Sequence, residues 1–328
     1  MIEQSKVDAS KARIQRIVAS VDTIIQGKHD VVELVVLALL ASGHVLLEDL
    51  PGTGKTTLVS TLARSVQVDF SRIQFTPDVM PSDVSGFSIY NQKTREFEFR
   101  PGGVMSSLVL ADEINRASPK TQSAMLEAME ERQVTVDGVT RPLSEPFMVL
   151  ATQNPIEQFG TYPLPEAQLD RFMAKLSMGY PEFDSEVAVL RLGVNAKRSV
   201  KPAVSREEVM ELREAVGQVF ACDMVLRYIV QIVKATRDDK EVLVGSSPRG
   251  GISLLALGRA WALSRGRGYL LPDDVKTLAP AVLRHRLTLS HEAKVAGRTA
   301  DDVIASLLGG VDVPRIDEAD LRGEAQDA

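Results

Sequence analysis

Cysteine is nearly missing: Cys222 is the only one in 328 residues. That excludes an internal disulfide framework and suits a reducing compartment. Histidine is scarce too. His29, His44, His285 and His291 show no metal-ligand spacing, so all four read as packing or surface residues. No run reaches the ~18 apolar residues of a membrane span. The most apolar stretch, Val31 to Ala41, carries Glu33 and reads as a buried helix. No N-terminal segment joins a basic start, an apolar middle and a small-residue cleavage site, so no signal peptide is expected and the expected location is cytoplasmic. Positive charge is in deficit: 38 Lys and Arg against 44 Asp and Glu leave a net charge of −6. That balance argues against passive nucleic-acid binding. A guanine-reading N-K-x-D motif is lacking as well, so GTP specificity is not expected.

What is present is enough apolar material, 44% of the chain, for two packed cores. Ile14, Ile17, Val18 and Val21 recur at helical spacing, and after a break at Gly27 an apolar helix runs from about His29 to Ser42, ended by Gly43. Buried strands then alternate with helices to about Tyr180, the pattern of a parallel sheet covered on both faces. The strand candidates are Val45–Leu47, Ile73–Phe75, Leu108–Ala111, Met148–Thr152 and Lys175–Met178. Two hairpins interrupt them. Phe87, Ile89, Phe97 and Phe99 alternate with polar residues around Asn91–Arg95, and core packing is the expected use of most of them. Val134 and Val136 face Val139 across the turn Asp137-Gly138.

Past Pro181 helices take over. Ser205 and Glu208 form a capping box, Asp223 is expected to cap the next helix, Ser247-Pro248 opens a third, and another begins near Pro272. The expected division is an α/β core over 1–183, a helical domain over 184–313 and an acidic, disordered tail over 314–328.

A phosphate site is written between the first strand and the next helix: Asp49-Leu50-Pro51-Gly52-Thr53-Gly54-Lys55-Thr56-Thr57. Concentrated negative charge needs inward N–H groups, a helix N-terminus and a mobile cation. Gly52 and Gly54 let the backbone curl, Lys55 is expected to reach the β- and γ-phosphates, and the Thr56 hydroxyl to bind Mg²⁺. Asp49 stands where the G-x-x-x-x-G-K-[ST] pattern has its first glycine; Asp tolerates left-handed backbone, so the loop is still expected to form.

The strand Leu108-Val109-Leu110-Ala111 ends in Asp112-Glu113, at the rim where α/β sheets bind ligands. Asp112 is the candidate Mg²⁺ ligand, through water, and Glu113 the candidate for orienting the attacking water. Met148 to Gln153 is a further apolar strand leading to Asn154, a candidate partner of the γ-phosphate or of that water.

Together these segments resemble the MoxR family of AAA+ ATPases. Asp49 to Thr56 is similar to its Walker A motif, Asp112-Glu113-Ile114-Asn115-Arg116-Ala117-Ser118-Pro119 to its Walker B motif, and Ala151-Thr152-Gln153-Asn154-Pro155 to its sensor 1. Thr161 to Phe172 resembles its arginine-finger segment and Ser247-Pro248-Arg249-Gly250 its sensor 2. The likeness runs from about Ile24 to Leu289, with Phe159 where the family is expected to have an acid. It implies an α/β core with a parallel five-stranded sheet of order 5-1-4-3-2 and a C-terminal all-helical lid. The two hairpins then resemble the helix-2 insert and the pre-sensor-1 hairpin. Ile25 and Gly27 would lie beside the adenine, within a nucleotide site of Asp49, Pro51, Gly52, Thr53, Gly54, Lys55, Thr56 and Thr57.

The same resemblance implies that Arg171 projects into a neighbouring subunit's site, where such an arginine is worth about 10³–10⁵ in rate. Arg249 is expected as a sensor within its own subunit, and Arg116 either as a second inter-subunit contact or a structural ion pair. It further implies a homo-oligomeric ring, usually a hexamer, hydrolysing ATP with Mg²⁺ as a chaperone-like remodeller of client proteins with von Willebrand factor A domains. A nucleic-acid motor or the ATPase subunit of a chelatase is the alternative reading.

Overall fold

The computed structural model describes residues 2–49, 52–154, 161–180, 182–184, 186–187, 200–317 and 320. Its strands are β1 (Val45–Glu48), β2 (Phe70–Gln74), β3 (Gly86–Asn91), β4 (Glu96–Pro101), β5 (Leu108–Asp112), β6 (Gln133–Val136), β7 (Val139–Pro142), β8 (Met148–Gln153) and β9 (Ala174–Leu176). Five of these form one sheet in the order β2-β5-β8-β1-β9, every neighbouring pair parallel. Read from the other edge and counted along the chain, that is the order 5-1-4-3-2.

Side chains alternate across a pleated strand. Leu47, Leu110 and Leu150 therefore face one apolar cluster while Leu46, Val109 and Val149 face another. The first cluster is covered by α1 (Gln4–Asp22), α2 (His29–Leu40) and α3 (Lys55–Ser65); the second by α4 (Pro81–Ser85) and α5 (Pro119–Glu131). After the short α6 (Glu166–Leu169) come α7 (Arg206–Gly217), α8 (Asp223–Asp238), α9 (Pro248–Ser264) and α10 (Pro272–Leu283), all sharing the first cluster, then α11 (His291–Val295) and α12 (Ala300–Gly310). The C-terminal helices thus pack behind the sheet, with α9 lying on both α1 and α2. The expected boundary near residue 184 adjoins 188–199, which are outside the described residues, as is most of the expected tail.

Several expectations change in detail. The α2 helix ends in a Schellman arrangement: Ser42 takes the left-handed turn at φ 59°, and the Gly43 N–H reaches the Ala38 carbonyl at 2.8 Å. Gly43 is required for space instead, since a Cβ there would sit 2.4 Å from the Met173 sulfur. Strand β2 starts at Phe70, three residues before its aliphatic signal, because an edge strand tolerates the polar Ser71 and Arg72. Strand β9 stops at Leu176, and Ser177 to Gly179 leave the sheet for a partner described below. Asp223 is the first residue of α8 and pairs with Arg227 at 2.5 Å; Cys222 holds the cap position. The helical part also carries an antiparallel pair, β10 (Val242–Val244) with β11 (Thr288–Leu289), that helical periodicity does not signal.

The aromatic hairpin is the clearest correction. Phe87, Ile89 and Tyr90 are about half exposed and Phe97 is 75% exposed, so these side chains do not pack on the core. A two-stranded ribbon has no sheet behind it, and alternation alone does not bury a face. Phe99 is covered, by the Arg141 guanidinium of β7 at 4.0 Å from the ring centroid.

Candidate active site

The chain leaves β1 at the carboxyl rim and enters α3 at Lys55 through two left-handed glycines, Gly52 (φ 83°) and Gly54 (φ 88°). A Cβ at either position would meet nothing within 4 Å, so glycine is needed here for backbone conformation, not for room. The curl brings the start of α3 to the wall of a cleft of about 330 Å³. Gly52, Thr53, Gly54, Lys55, Thr56 and Thr57 line it on one side; Arg72, Asp112, Glu113 and Asn154 line it on the other. Pro51 lies outside the described residues. The Lys55 ammonium donates to the Asp49 carbonyl at 3.1 Å, across the loop it would serve.

Asp49 has a task that its motif position does not announce. It is 4% exposed, and its carboxylate accepts from Ser177 Oγ (2.9 Å), the Met178 N–H (2.7 Å) and the Gly179 N–H (2.9 Å). Its φ is not positive, so tolerance of left-handed backbone is not why Asp stands there. The carboxylate fastens the start of the phosphate loop to the exit of β9. A glycine could not.

Asp112 closes β5 at 8% exposure. Its Oδ1 accepts from the buried Thr152 hydroxyl at 2.7 Å, and its Oδ2 from Arg72 Nε at 3.1 Å and Nη2 at 2.5 Å. The same Thr152 oxygen accepts the Glu113 N–H at 2.8 Å, so one threonine orders both acids. Glu113 sits in the left-handed region at φ 58°, which costs an L-residue about 1–2 kcal/mol, and its Oε2 pairs with Arg116 Nη1 at 2.8 Å. Arg116 is therefore an ion-pair partner of Glu113 within the subunit. Asn154 is 7% exposed and contributes to the cleft from the end of β8.

The donors suit a hard divalent cation. Mg²⁺ takes one or two protein oxygens and completes its shell with phosphate and water, and Thr56 and Asp112 both line this cleft. Among the described residues there is no cluster of three His, Cys, Asp or Glu side chains that would hold a metal by itself.

Comparison with known proteins places this geometry. Residues 44–174 match the model of the ATPase family associated with various cellular activities, and 234–307 match the AAA lid domain. The chain is 42% identical to the Mycobacterium tuberculosis protein named Chaperone MoxR1, over 95% of this chain and 85% of that one. It is 30% identical to Protein MoxR of Methylorubrum extorquens, covering 85% and 87%. The chain belongs to the MoxR family of AAA+ ATPases. It is also 53% identical to an uncharacterised Bacillus subtilis protein, YeaC, over 90% of this chain and 93% of that one. A crystal structure of a candidate ATPase from Cytophaga hutchinsonii superposes with a TM-score of 0.89 at 40% identity, covering 95% of this chain and 98% of that one.

The remaining candidates of this MoxR-family site lie elsewhere. Ile25 is buried in the core and Gly27 takes a left-handed turn (φ 71°) between α1 and α2. Neither lines the phosphate cleft; the adjoining Ile24 and Gln26 line a separate hollow with Thr23 and Pro202. Arg171 and Arg249 are brought together on one carboxylate: Arg171 Nε donates to Glu130 Oε2 at 2.7 Å, and Arg249 Nη2 to Glu130 Oε1. Both hydrogen bonds, Arg171's first, and the charge of Arg249 hold the Glu130 carboxyl below the usual range.

This arginine pair is at the amino rim. Arg171 precedes β9, and the next residues return to the start of β1 through the Met173 N–H and the His44 carbonyl at 2.8 Å. His44, before β1, holds the end of α5: its Nδ1 accepts the Val149 N–H at 3.0 Å and its Nε2–H faces the Met129 carbonyl at 3.1 Å. Burial pushes the His44 imidazole down to about 3. The three residues of β9, roughly 10 Å of strand, separate the turn that carries Arg171 from the clasp at Ser177. The expectation that Arg249 serves its own subunit's cleft is therefore corrected, because α9 opens at the opposite rim. Arg72, Thr152 and Glu130 escaped the sequence reading. Thr152 stands inside a quoted segment, but nothing local marks Arg72 or Glu130.

Proposed function

We propose that this protein hydrolyses ATP to ADP and phosphate with Mg²⁺, in a ring of identical subunits where each cleft is completed by the neighbour's arginines. The observation carrying this reading is the meeting of Gly52–Thr57, Asp112, Glu113 and Asn154 around one cleft. Backbone N–H groups at the start of α3 cradle the phosphates, and Lys55 turns from the Asp49 carbonyl to the γ-phosphate. Thr56 and Asp112 would hold the cation, which would supply charge neutralisation to the phosphates. Glu113 orients the attacking water; its strained backbone, fixed by Thr152, suits a residue whose direction matters more than its comfort. Asn154 hydrogen-bonds the γ-phosphate or that water. Arg171 and Arg249 stand at the opposite rim and do not line their own cleft, so both are assigned to the adjacent subunit's γ-phosphate.

The work done by this cycle is read as remodelling of client proteins, with von Willebrand factor A domains as the client class. Relationship to a protein named a chaperone supports it, and the uncovered Phe87, Ile89 and Phe97 offer apolar contact area. Steady-state hydrolysis and ATP binding by the wild type and Glu113→Gln test the reaction: the variant binds ATP and does not turn over. Wild-type protein that ignores ATP, or brisk turnover by Glu113→Gln, overturns the assignment. Affinity capture by Glu113→Gln with ATP then tests for a von Willebrand factor A partner.

A further inference from the structure

We infer that Glu130 is a positioning residue that locks Arg171 and Arg249 into one two-cation unit for delivery to the next subunit. The inference rests on the trans-arginine reading above and goes beyond it, because that reading needs only the arginines.

The carboxylate spans both guanidiniums, one oxygen to each. Arg171 is held through Nε, which leaves its two Nη groups as donors not used by Glu130. Holding two like charges on one carboxylate is unfavourable, and Arg249 stands in the first turn of α9, where a cation opposes the helix dipole. A merely structural ion pair would need one arginine and neither cost. The excess positive charge instead suits a doublet that meets an anion brought from outside.

The backbone beneath the doublet is strapped the same way. Asp170, next to Arg171, accepts from Ser247 Oγ at 2.7 Å and from Arg286 Nε at 2.8 Å. Arg286 is 1% exposed, and also donates to the Asp170 and Phe172 carbonyls at 3.1 and 2.8 Å. Ser247 caps α9 and accepts the Arg249 N–H at 3.0 Å. The core segment carrying Arg171 and the helix carrying Arg249 are thus joined twice through side chains, by the Asp170 carboxylate at Ser247 and by Glu130 at the arginines. Displacing the C-terminal helices would move both cations together.

The test is steady-state ATPase kinetics of the full-length protein with Glu130→Gln, Glu130→Asp, Arg171→Ala, Arg249→Ala and the double variant Glu130→Gln/Arg249→Ala. ADP affinity and assembly size are measured beside them. Misplacement of a reacting group costs up to about 100-fold, so Glu130→Gln is expected to lower kcat by about 10- to 100-fold with KM, ADP affinity and assembly unchanged. Glu130→Asp, which keeps the charge but reaches one arginine only, falls between; it also serves as the readout if the Gln variant does not fold. Removing Arg249 is expected to cost far less in the Glu130→Gln background than in the wild type. Wild-type kcat in Glu130→Gln beside an inactive Arg171→Ala overturns this inference alone, leaving an ordinary surface ion pair. Wild-type turnover by Arg171→Ala overturns the trans-arginine reading itself.

Discussion

The two rims of the parallel sheet handle charge in opposite ways. At the carboxyl rim, the glycine turn into α3 and the acids Asp112 and Glu113 line one cleft, the proposed site of the phosphates and their cation. At the amino rim, the partly exposed Arg171 and Arg249 share the single carboxylate of Glu130, while the buried Arg286 pairs with Asp170 beneath them. One rim is a receptacle; the other is an outward display of cations. A sheet stands between them, so on the proposed reading neither rim is useful without a second subunit.

The comparison breaks most sharply at Arg171. Arg171→Ala is expected to lose about 10³- to 10⁵-fold in turnover while ATP affinity, set at the other rim, stays within a few-fold; binding and steady-state assays read the two separately. Next comes Glu113→Gln, expected to lose about 10²- to 10⁴-fold in turnover as the orienting carboxylate disappears. Its fold and ATP affinity should persist, since Thr152 holds the Glu113 backbone and not its side chain.

Asp49→Gly sharpens the contrast differently. It restores the glycine of the general phosphate-loop pattern, yet leaves three donors without their buried acceptor. A loss of about 1–3 kcal/mol in denaturant unfolding is expected; unchanged or raised stability would mean the clasp to Ser177–Gly179 is dispensable.

The smallest effect belongs to the amino rim's His44. Its folded value of about 3 lies below the unfolded value near 6.5, so the unfolded chain binds the extra proton between them. The stabilisation is whole above pH 6.5 and is lost as pH falls toward 3, at about 1.4 kcal/mol per unit. Urea unfolding at pH 7 and 5.5 should show a smaller drop for His44→Asn than for the wild type.

How much could be read in advance differs between the rims for a physical reason. The phosphate loop, the acid pair and Asn154 each occupy a short contiguous segment at a strand end, and alternation of strands and helices puts such ends on one rim. The sheet order came from family resemblance, and it holds. Partnering between distant side chains was hidden: Glu130 meets Arg171 41 residues on and Arg249 119 residues on, with no periodicity connecting them. Arg72 reaches Asp112 only because β2 and β5 are neighbours in the sheet. Asp49 was assigned a backbone task when its side chain has the specific one. Phe87 and Phe97 looked like core because alternation reports two faces without saying whether anything covers either.

Mixing two inactive variants puts the separated-rims account to its most direct trial. Glu113→Gln lacks the water-orienting acid but keeps its arginines; Arg171→Ala lacks the finger but keeps an intact cleft. Co-assembled, a Glu113→Gln subunit beside an Arg171→Ala subunit should supply the missing arginine, so the mixture should hydrolyse ATP well above either protein alone. Mixed assemblies that form and remain as inactive as their parents would contradict it.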